Sequence, residues 1–286
     1  MRKSFDEFGL IIVALIFGFS YVFQNLGAQH VPPFIFNLFK NLLGTIAILP
    51  FCTRRTNTNH RNEVKYGIII GLILAIFSYF QQVVVVHSST GKVGFITSLY
   101  IVEVPLINSI IYKDKMNLQT ILGIILSFFG LVLLCNIANF KFSIYDLFTI
   151  ICSFILSAQI IILDKYATDC DPFKLNFYTF IFISTFSLIA SPISREVFDI
   201  EACKAAIIPL LYVGIACTAI ALPLQTYCQK TVDGTTSSLI LSLESVFSVV
   251  AGYLILNQTL TKIELIGCII MFIGVILCVT SNKKKN

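Results

Sequence analysis

Residues 66–86 read YGIIIGLILAIFSYFQQVVVV, a stretch without a charged side chain, bounded by Lys65 and His87. An α-helix rises 1.5 Å per residue, so a run of this length crosses a hydrocarbon core about 30 Å thick. A spanning barrel strand would be shorter and would alternate apolar with polar residues. The run therefore predicts a transmembrane helix.

The same pattern recurs on both sides of it. Apolar windows between charged or turn-rich breaks predict ten helices, at roughly 8–28, 32–52, 65–86, 91–112, 117–135, 143–163, 172–193, 204–228, 233–255 and 261–280. The 286 residues leave no room for a separate soluble domain. The chain is 57% hydrophobic and 12% charged, with a mean hydropathy of +0.88, whereas soluble domains are roughly a quarter charged. Arg2 and Lys3 precede the first window, but its length and the lack of a small-residue cleavage site predict a retained helix instead of a signal peptide. There are nine cysteines, and Cys52, Cys135, Cys152, Cys217, Cys228, Cys268 and Cys278 lie in or beside apolar runs without CxxC or Cys/His spacing. They are expected to pack, with no disulfide, metal or cofactor implied.

Orientation follows from Lys and Arg in the loops. One set of loops carries Arg2, Lys3, Arg54, Arg55, Arg61, Lys65, Lys113, Lys115, Lys165, Lys174, Lys230, Lys283, Lys284 and Lys285. The other carries only Lys92, Lys141, Arg195, Lys204 and Lys262. The richer set is expected in the cytoplasm together with both termini, in a multi-pass protein of the cytoplasmic membrane. The net charge of +5 is thereby explained without a nucleic-acid partner.

The halves echo one another. Pro33-Phe34 and Asn37 recur as Pro172-Phe173 and Asn176, Gly94 is matched with Gly234, and the pair Gly123 and Gly130 recurs as Gly267 and Gly274. The expected organisation is a first five-helix repeat at 1–138 and a second at 139–286. Five is odd, so the second copy enters from the opposite side. The fold class expected is thus all-α integral membrane, ten transmembrane helices as two inverted five-helix repeats, with a binding site near the midplane.

Several stretches carry a family resemblance: Phe17-Gly18-Phe19-Ser20, the segment from Pro32-Pro33 to Lys40, Phe80-Gln81-Gln82, Gly94 to Tyr100 with Pro105, Tyr227 to Lys230, Leu241 to Phe247, and Leu256 to Leu260 running to Gly267. With these the chain resembles EamA-type members of the drug/metabolite transporter superfamily over nearly its whole length. The resemblance implies a ten-helix inverted-repeat carrier whose central cavity opens alternately to each side, associated largely with export of amino acids and other metabolites. Phe17 stands where the family usually has Trp, and Ser245 where it usually has Pro, which leaves the bend of the ninth helix open.

Ionisable side chains inside a bilayer are costly and normally face a bundle interior or a wet cavity. Lys40, Glu103 and Glu244 qualify. Asn37, Lys40, Asn41 and Gly44 follow helical i, i+3, i+4, i+7 spacing and form one polar stripe expected to line the cavity. Lys40 could hold a substrate carboxylate or a counter-ion, or be locked in a pair with Glu103 or Glu244. Tyr100 and Glu103 share a face that could meet that stripe. Glu103 and Glu244 are candidates for proton coupling, with helix packing the plainer role for Glu244. Gln81, Gln82, Gln159, Asn176 and Gln225 are amides at membrane depth, of which Gln159 and Asn176 match Ser20 and Asn37 across the repeat. Interhelical hydrogen bonds would also explain each amide. Ser238, Ser242, Ser245, Ser248 and Gly252 form a small-residue side of the ninth helix, and Gly123, Ser127 and Gly130 one of the fifth.

His30, His60 and His87 fall in loops or at helix ends, and no HExxH, phosphate loop or GxSxG is present. Enzymatic activity is not expected. The reading is a gradient-driven secondary transporter, an amino acid or metabolite exporter, with broad drug or cation efflux as the rival within transport and an intramembrane enzyme or scaffold as the rival from another class. Its partners are a small-molecule substrate and the lipid bilayer, with a homodimer left open.

Overall fold

The protein is described here from a computed structural model covering residues 2–53, 58–88, 90–114, 116–134, 143–257 and 261–283. Cys135, the boundary at 138/139, the loop cations Arg54, Arg55, Lys115, Lys141, Lys284 and Lys285, and the motif residues Gln258, Thr259 and Leu260 lie outside them.

Among the described residues every regular element is helical. In chain order these are α1 (Arg2–Ala28), α2 (Pro33–Cys52), α3 (His60–His87), α4a (Thr90–Thr97), α4b (Tyr100–Ile111), α5 (Leu118–Leu134), α6 (Ile144–Tyr166), α7 (Pro172–Ile193), α8 (Ile207–Cys228), α9a (Gly234–Leu241), α9b (Glu244–Leu256) and α10 (Lys262–Lys283). A short helix, Ile200–Ala205, precedes α8. With α4a/α4b and α9a/α9b each taken as one crossing, nine stretches of the described residues are long and apolar enough to span a membrane, and α5 is a shorter apolar helix. Their outward faces carry exposed side chains such as Ile46, Ile110 and Phe129, as a lipid environment permits.

Helix starts are set by local chemistry. The Asn59 side chain accepts from Asn62 N–H, Asp171 from Phe173 and Lys174 N–H, and Asp233 from Thr236 N–H. Ser143 and Asp146 form a capping box at α6. Pro33 and Pro172 stand in the first turns of α2 and α7, where the absent N–H has no helical partner to lose.

The main helix contacts recur when the halves are exchanged. α1 lies on α9b as α6 lies on α4b, α3 packs on α7 as α8 packs on α2, and α2–α7 and α5–α10 pair across the centre. With five helices per half, the second copy runs through the membrane in the opposite sense, giving two inverted repeats. The tightest pair is α5–α10. A Cβ on Gly130 would stand 2.6 Å from Met271 N and 2.7 Å from Gly267 O, so both positions require glycine for backbones this close.

Three features depart from the sequence reading. First, the fourth and ninth helices are each broken, at Ser98-Leu99 and at Ser242-Leu243. The break in the ninth forms without the proline, and it divides the small-residue side at Ser242. Second, the two breaks are 144 residues apart, as are Gly123 and Gly267, and Gly130 and Gly274. Gly94 therefore corresponds to Ser238, and Gly234 opens its half-helix while Gly94 lies inside its own. Third, α8 carries a π-helical stretch, Tyr212–Ala221, between Pro209 and Pro223.

Candidate functional site

The two breaks meet. Ser98 Oγ donates to Ser245 Oγ at 3.3 Å, and a Cβ on Gly94 would stand 2.8 Å from Ser248 Oγ. Glu103 and Glu244 lie in the first turns of α4b and α9b. The N–H groups there largely bond across the breaks, Ile101 to Ser98 O and Ser245 to Ser242 O, while the positive dipole end of each half-helix favours a carboxylate at membrane depth.

From there the two glutamates diverge. Glu244 is 4% exposed and lines a cavity of about 100 Å³, room for several waters. Its Oε1 accepts from the Tyr21 hydroxyl of α1 at 3.2 Å, and Tyr100 is a second tyrosine facing the same carboxylate. Gly18 lets α1 come this close, since a Cβ there would stand 2.6 Å from Glu244 O and run into Phe247. Glu103 instead accepts from Ser153 and, at 2.6 Å, from Ser157. Both serines belong to α6, because α4b packs against α6 and α9a. The face of Tyr100 and Glu103 therefore does not meet the helix-two stripe, which corrects that expectation.

The cavity walls come from both halves: α1, α2 and α3 of the first, α6, α7 and α8 of the second, closed by Glu244. Lys40 is its cation. The side chain is 7% exposed, donates to Ser78 Oγ at a long 3.4 Å, and has no carboxylate within ion-pair distance among the described residues. Neither of the pairs weighed for it, with Glu103 or with Glu244, is formed.

The stripe on α2 divides. Lys40 and Asn41 line the cavity, whereas Asn37 is buried with its carbonyl accepting Asn41 Nδ2 at 2.8 Å. Gly44 serves the contact with α8, where a Cβ would strike Thr218. That contact brings α2 onto the π-helical stretch: a Cβ on Gly214 would stand 3.1 Å from Lys40 O. Thr218 Oγ1 donates to Val213 O at 2.9 Å within the widened turn, and Thr218, Val213 and Cys217 line the cavity.

Among the amides, Gln159, Gln81 and Gln225 reach the cavity. Asn176 does not. It donates to Thr226 Oγ1 at 2.9 Å and to Pro172 O at 2.8 Å, tying α7 to α8. Gln82 donates to Gln24 O at 3.3 Å and joins α3 to α1. The cavity thus brings together Lys40, Asn41, Gln159 and Glu244 from the sequence-predicted set and leaves Asn37, Tyr100, Glu103 and Asn176 off its walls.

Sequence reasoning passed over α1. Ser20, Tyr21 and Gln24 all line the cavity, and their i, i+1, i+4 spacing was available as a signal. The π-helical stretch has only the flanking prolines to announce it, although such segments recur at functional sites.

Comparison with known proteins gives a consistent picture. The profile of the EamA-like transporter family matches residues 5–136 and again 143–280. An uncharacterized transporter of Archaeoglobus fulgidus is 26% identical over 277 residues, 97% of this chain and 86% of that protein. The uncharacterized transporter YoaV of Bacillus subtilis is 21% identical, covering 93% of this chain and 94% of its own. A solved crystal structure shares the fold, with a TM-score of 0.75 over 97% of both chains at 14% identity.

Proposed function

The chain belongs to the EamA-like transporter family and is a multi-pass membrane transporter, and from that premise we propose that it is a secondary carrier exporting a small carboxylate-bearing metabolite, an amino acid or close relative. It would cross the cytoplasmic membrane with both termini inside, and the inverted halves would expose the cavity to each side in turn.

Lys40 carries this reading. An ammonium buried in a membrane is costly unless something compensates it, and among the described residues the long bond to Ser78 is its one side-chain hydrogen bond. A substrate carboxylate in the adjoining cavity would complete a charge-assisted bond. Asn41, Gln81 and Gln159 on the same walls suit the remaining polar groups of a small zwitterion. The size of the cavity favours a small ligand over a bulky drug.

Counterflow uptake into proteoliposomes, with a panel of labelled amino acids and with or without an imposed pH gradient, tests it. Uptake of one class is expected, lost in Lys40→Ala; normal uptake by that variant would sink the assignment. Dependence on the gradient, abolished in Glu244→Gln, would give Glu244 the proton-coupling role.

Glu244 also supports the second reading, cation efflux, because it places a carboxylate on the cavity wall without an ion pair among the described residues. Uptake of labelled tetraphenylphosphonium that survives Lys40→Ala and fails in Glu244→Gln would move the function there.

A further inference from the structure

Gln24 of α1 lines the cavity and is 4% exposed. Its Nε2 donates to Ser20 Oγ at 3.1 Å. The orientation of this amide is set by its neighbour: the single hydroxyl hydrogen of Ser20 goes to Phe17 O at 2.6 Å, so Ser20 Oγ can only accept from Gln24. Gln24 Oε1 is the atom left over. It is buried and has no hydrogen-bond partner among the described residues, and of the residues lining the cavity only Gln24 carries such an atom. Buried carbonyl oxygens are nearly always satisfied, so this one calls for a donor from whatever fills the cavity.

The surroundings say which kind of donor. Tyr21, three residues earlier and on the same side of α1, anchors the carboxylate of Glu244. This wall therefore combines an open carbonyl oxygen with a nearby anion, a setting for a cationic N–H group. The donor Lys40 belongs to α2. A ligand with an ammonium group and a carboxylate group satisfies both.

We propose that Gln24 is a specificity-determining residue whose Oε1 accepts an N–H from the substrate ammonium group, so that the cavity selects zwitterions over the same acids lacking nitrogen. The inference rests on the carboxylate reading of Lys40 and adds the second pole. A site built to hydrogen-bond a group discriminates strongly against the analogue without it, because its own polar atom is then left unpaired.

Purified full-length protein in detergent would be titrated, with thermal stabilisation as the readout, against three pairs: alanine and propionate, leucine and 4-methylpentanoate, phenylalanine and 3-phenylpropanoate. Wild type is expected to bind at least one amino acid about tenfold or more tighter than its partner acid. In Gln24→Leu, and in Gln24→Met should the first variant fold poorly, that preference should fall to within about twofold through weaker amino acid binding, the partner acid binding as before. Gln24→Glu keeps an acceptor and should keep the preference. Lys40→Ala should weaken both members of a pair. An undiminished preference in Gln24→Leu and Gln24→Met would overturn the inference while leaving Lys40 in place, with Oε1 satisfied by water alone. If neither member of any pair binds wild type, the carboxylate reading falls and the inference with it.

Discussion

α2 and α7 begin alike and diverge within two turns. Pro33-Phe34 and Asn37 recur as Pro172-Phe173 and Asn176, but at the same shift the place of Lys40 is taken by Thr179 and that of Asn41 by Phe180. Lys40 and Asn41 face the cavity. Thr179 Oγ1 donates to Gly67 O at 3.1 Å and to Leu175 O at 3.0 Å, and Phe180 is fully buried, so the second copy spends that face on packing. The broken helices repeat the lesson. Ser98-Leu99 corresponds to Ser242-Leu243, yet the next residue is Tyr100 in one copy and Glu244 in the other, and the two meet as tyrosine against carboxylate. What is duplicated is the scaffold: the breaks, the glutamates that reach from one half to a helix start of the other, the glycine pairs, and Asp6 and Asp146 at the starts of α1 and α6, which accept from Thr231 and pair with Lys92. What is not duplicated is the polarity of the cavity, with its cation from one half and its anion from the other.

The sharpest way to break this comparison is to treat the two copies equally. Lys40→Ala should lower amino acid uptake at least tenfold to a hundredfold, the worth of a charge-assisted bond of about 1.5–3 kcal/mol. Thr179→Ala should leave uptake within about threefold and cost about 0.5–1.5 kcal/mol of stability, since it removes one neutral hydroxyl donor shared between Gly67 O of α3 and Leu175 O of α7. Counterflow in proteoliposomes, beside a thermal midpoint in detergent, reads both. If the threonine variant lost transport as completely as the lysine variant, the second copy would also handle substrate, and the scaffold-versus-chemistry distinction would fail.

Where the scaffold is symmetric, the expected effects are matched. A Cβ on Gly267 would stand 2.5 Å from Leu134 N and 2.7 Å from Gly130 O, and one on Gly130 meets Met271 N and Gly267 O almost as closely. Each clash is with backbone, which cannot rotate away. Gly130→Ala and Gly267→Ala should therefore each cost about 1–3 kcal/mol, the range for overpacking, and lower the thermal midpoint by similar amounts. A large inequality would show that α5 and α10 do not share their interface evenly.

Much of the scaffold could be read from sequence because its causes are local or compositional. Apolar runs have to be helices in hydrocarbon, prolines mark the starts of α2 and α7, and the glycine spacing marks α5 and α10. The cavity was legible only in part. Lys40 is conspicuous as a charge in an apolar run, and Glu244 likewise. Whether Glu103 faces the cavity or α6 depends on how α4b is rotated beyond its break, which no spacing along the chain encodes. Gln24 and Tyr21 were hidden for another reason. An uncharged amide and a tyrosine are unremarkable in a transmembrane helix, and their importance comes from an unpaired atom and from a partner 223 residues away.

The smallest expected difference lies at the two ends of the bundle. Glu196, following α7, accepts from Phe34 N–H at 3.0 Å and Ile35 N–H at 3.1 Å, capping the start of α2. On the opposite face Glu63, in the first turn of α3, accepts from Asp171 N–H at 3.1 Å at the start of α7. The arrangement is the same with the halves exchanged, but the dependence on it is not. α2 has Pro32 at its N-cap and no side-chain cap of its own, whereas α7 keeps the Asp171 carboxylate on Phe173 and Lys174 N–H. Glu196→Ala should thus remove the cap outright, about 0.5–2 kcal/mol, and speed amide hydrogen exchange at the start of α2. In Glu63→Ala the start of α7 should exchange nearly as slowly as before, because its own cap remains. Hydrogen–deuterium exchange of peptides beginning at Pro33 and Pro172 separates the two cases, and equal loosening would mean that the inter-repeat glutamates, not the local caps, hold both helix ends.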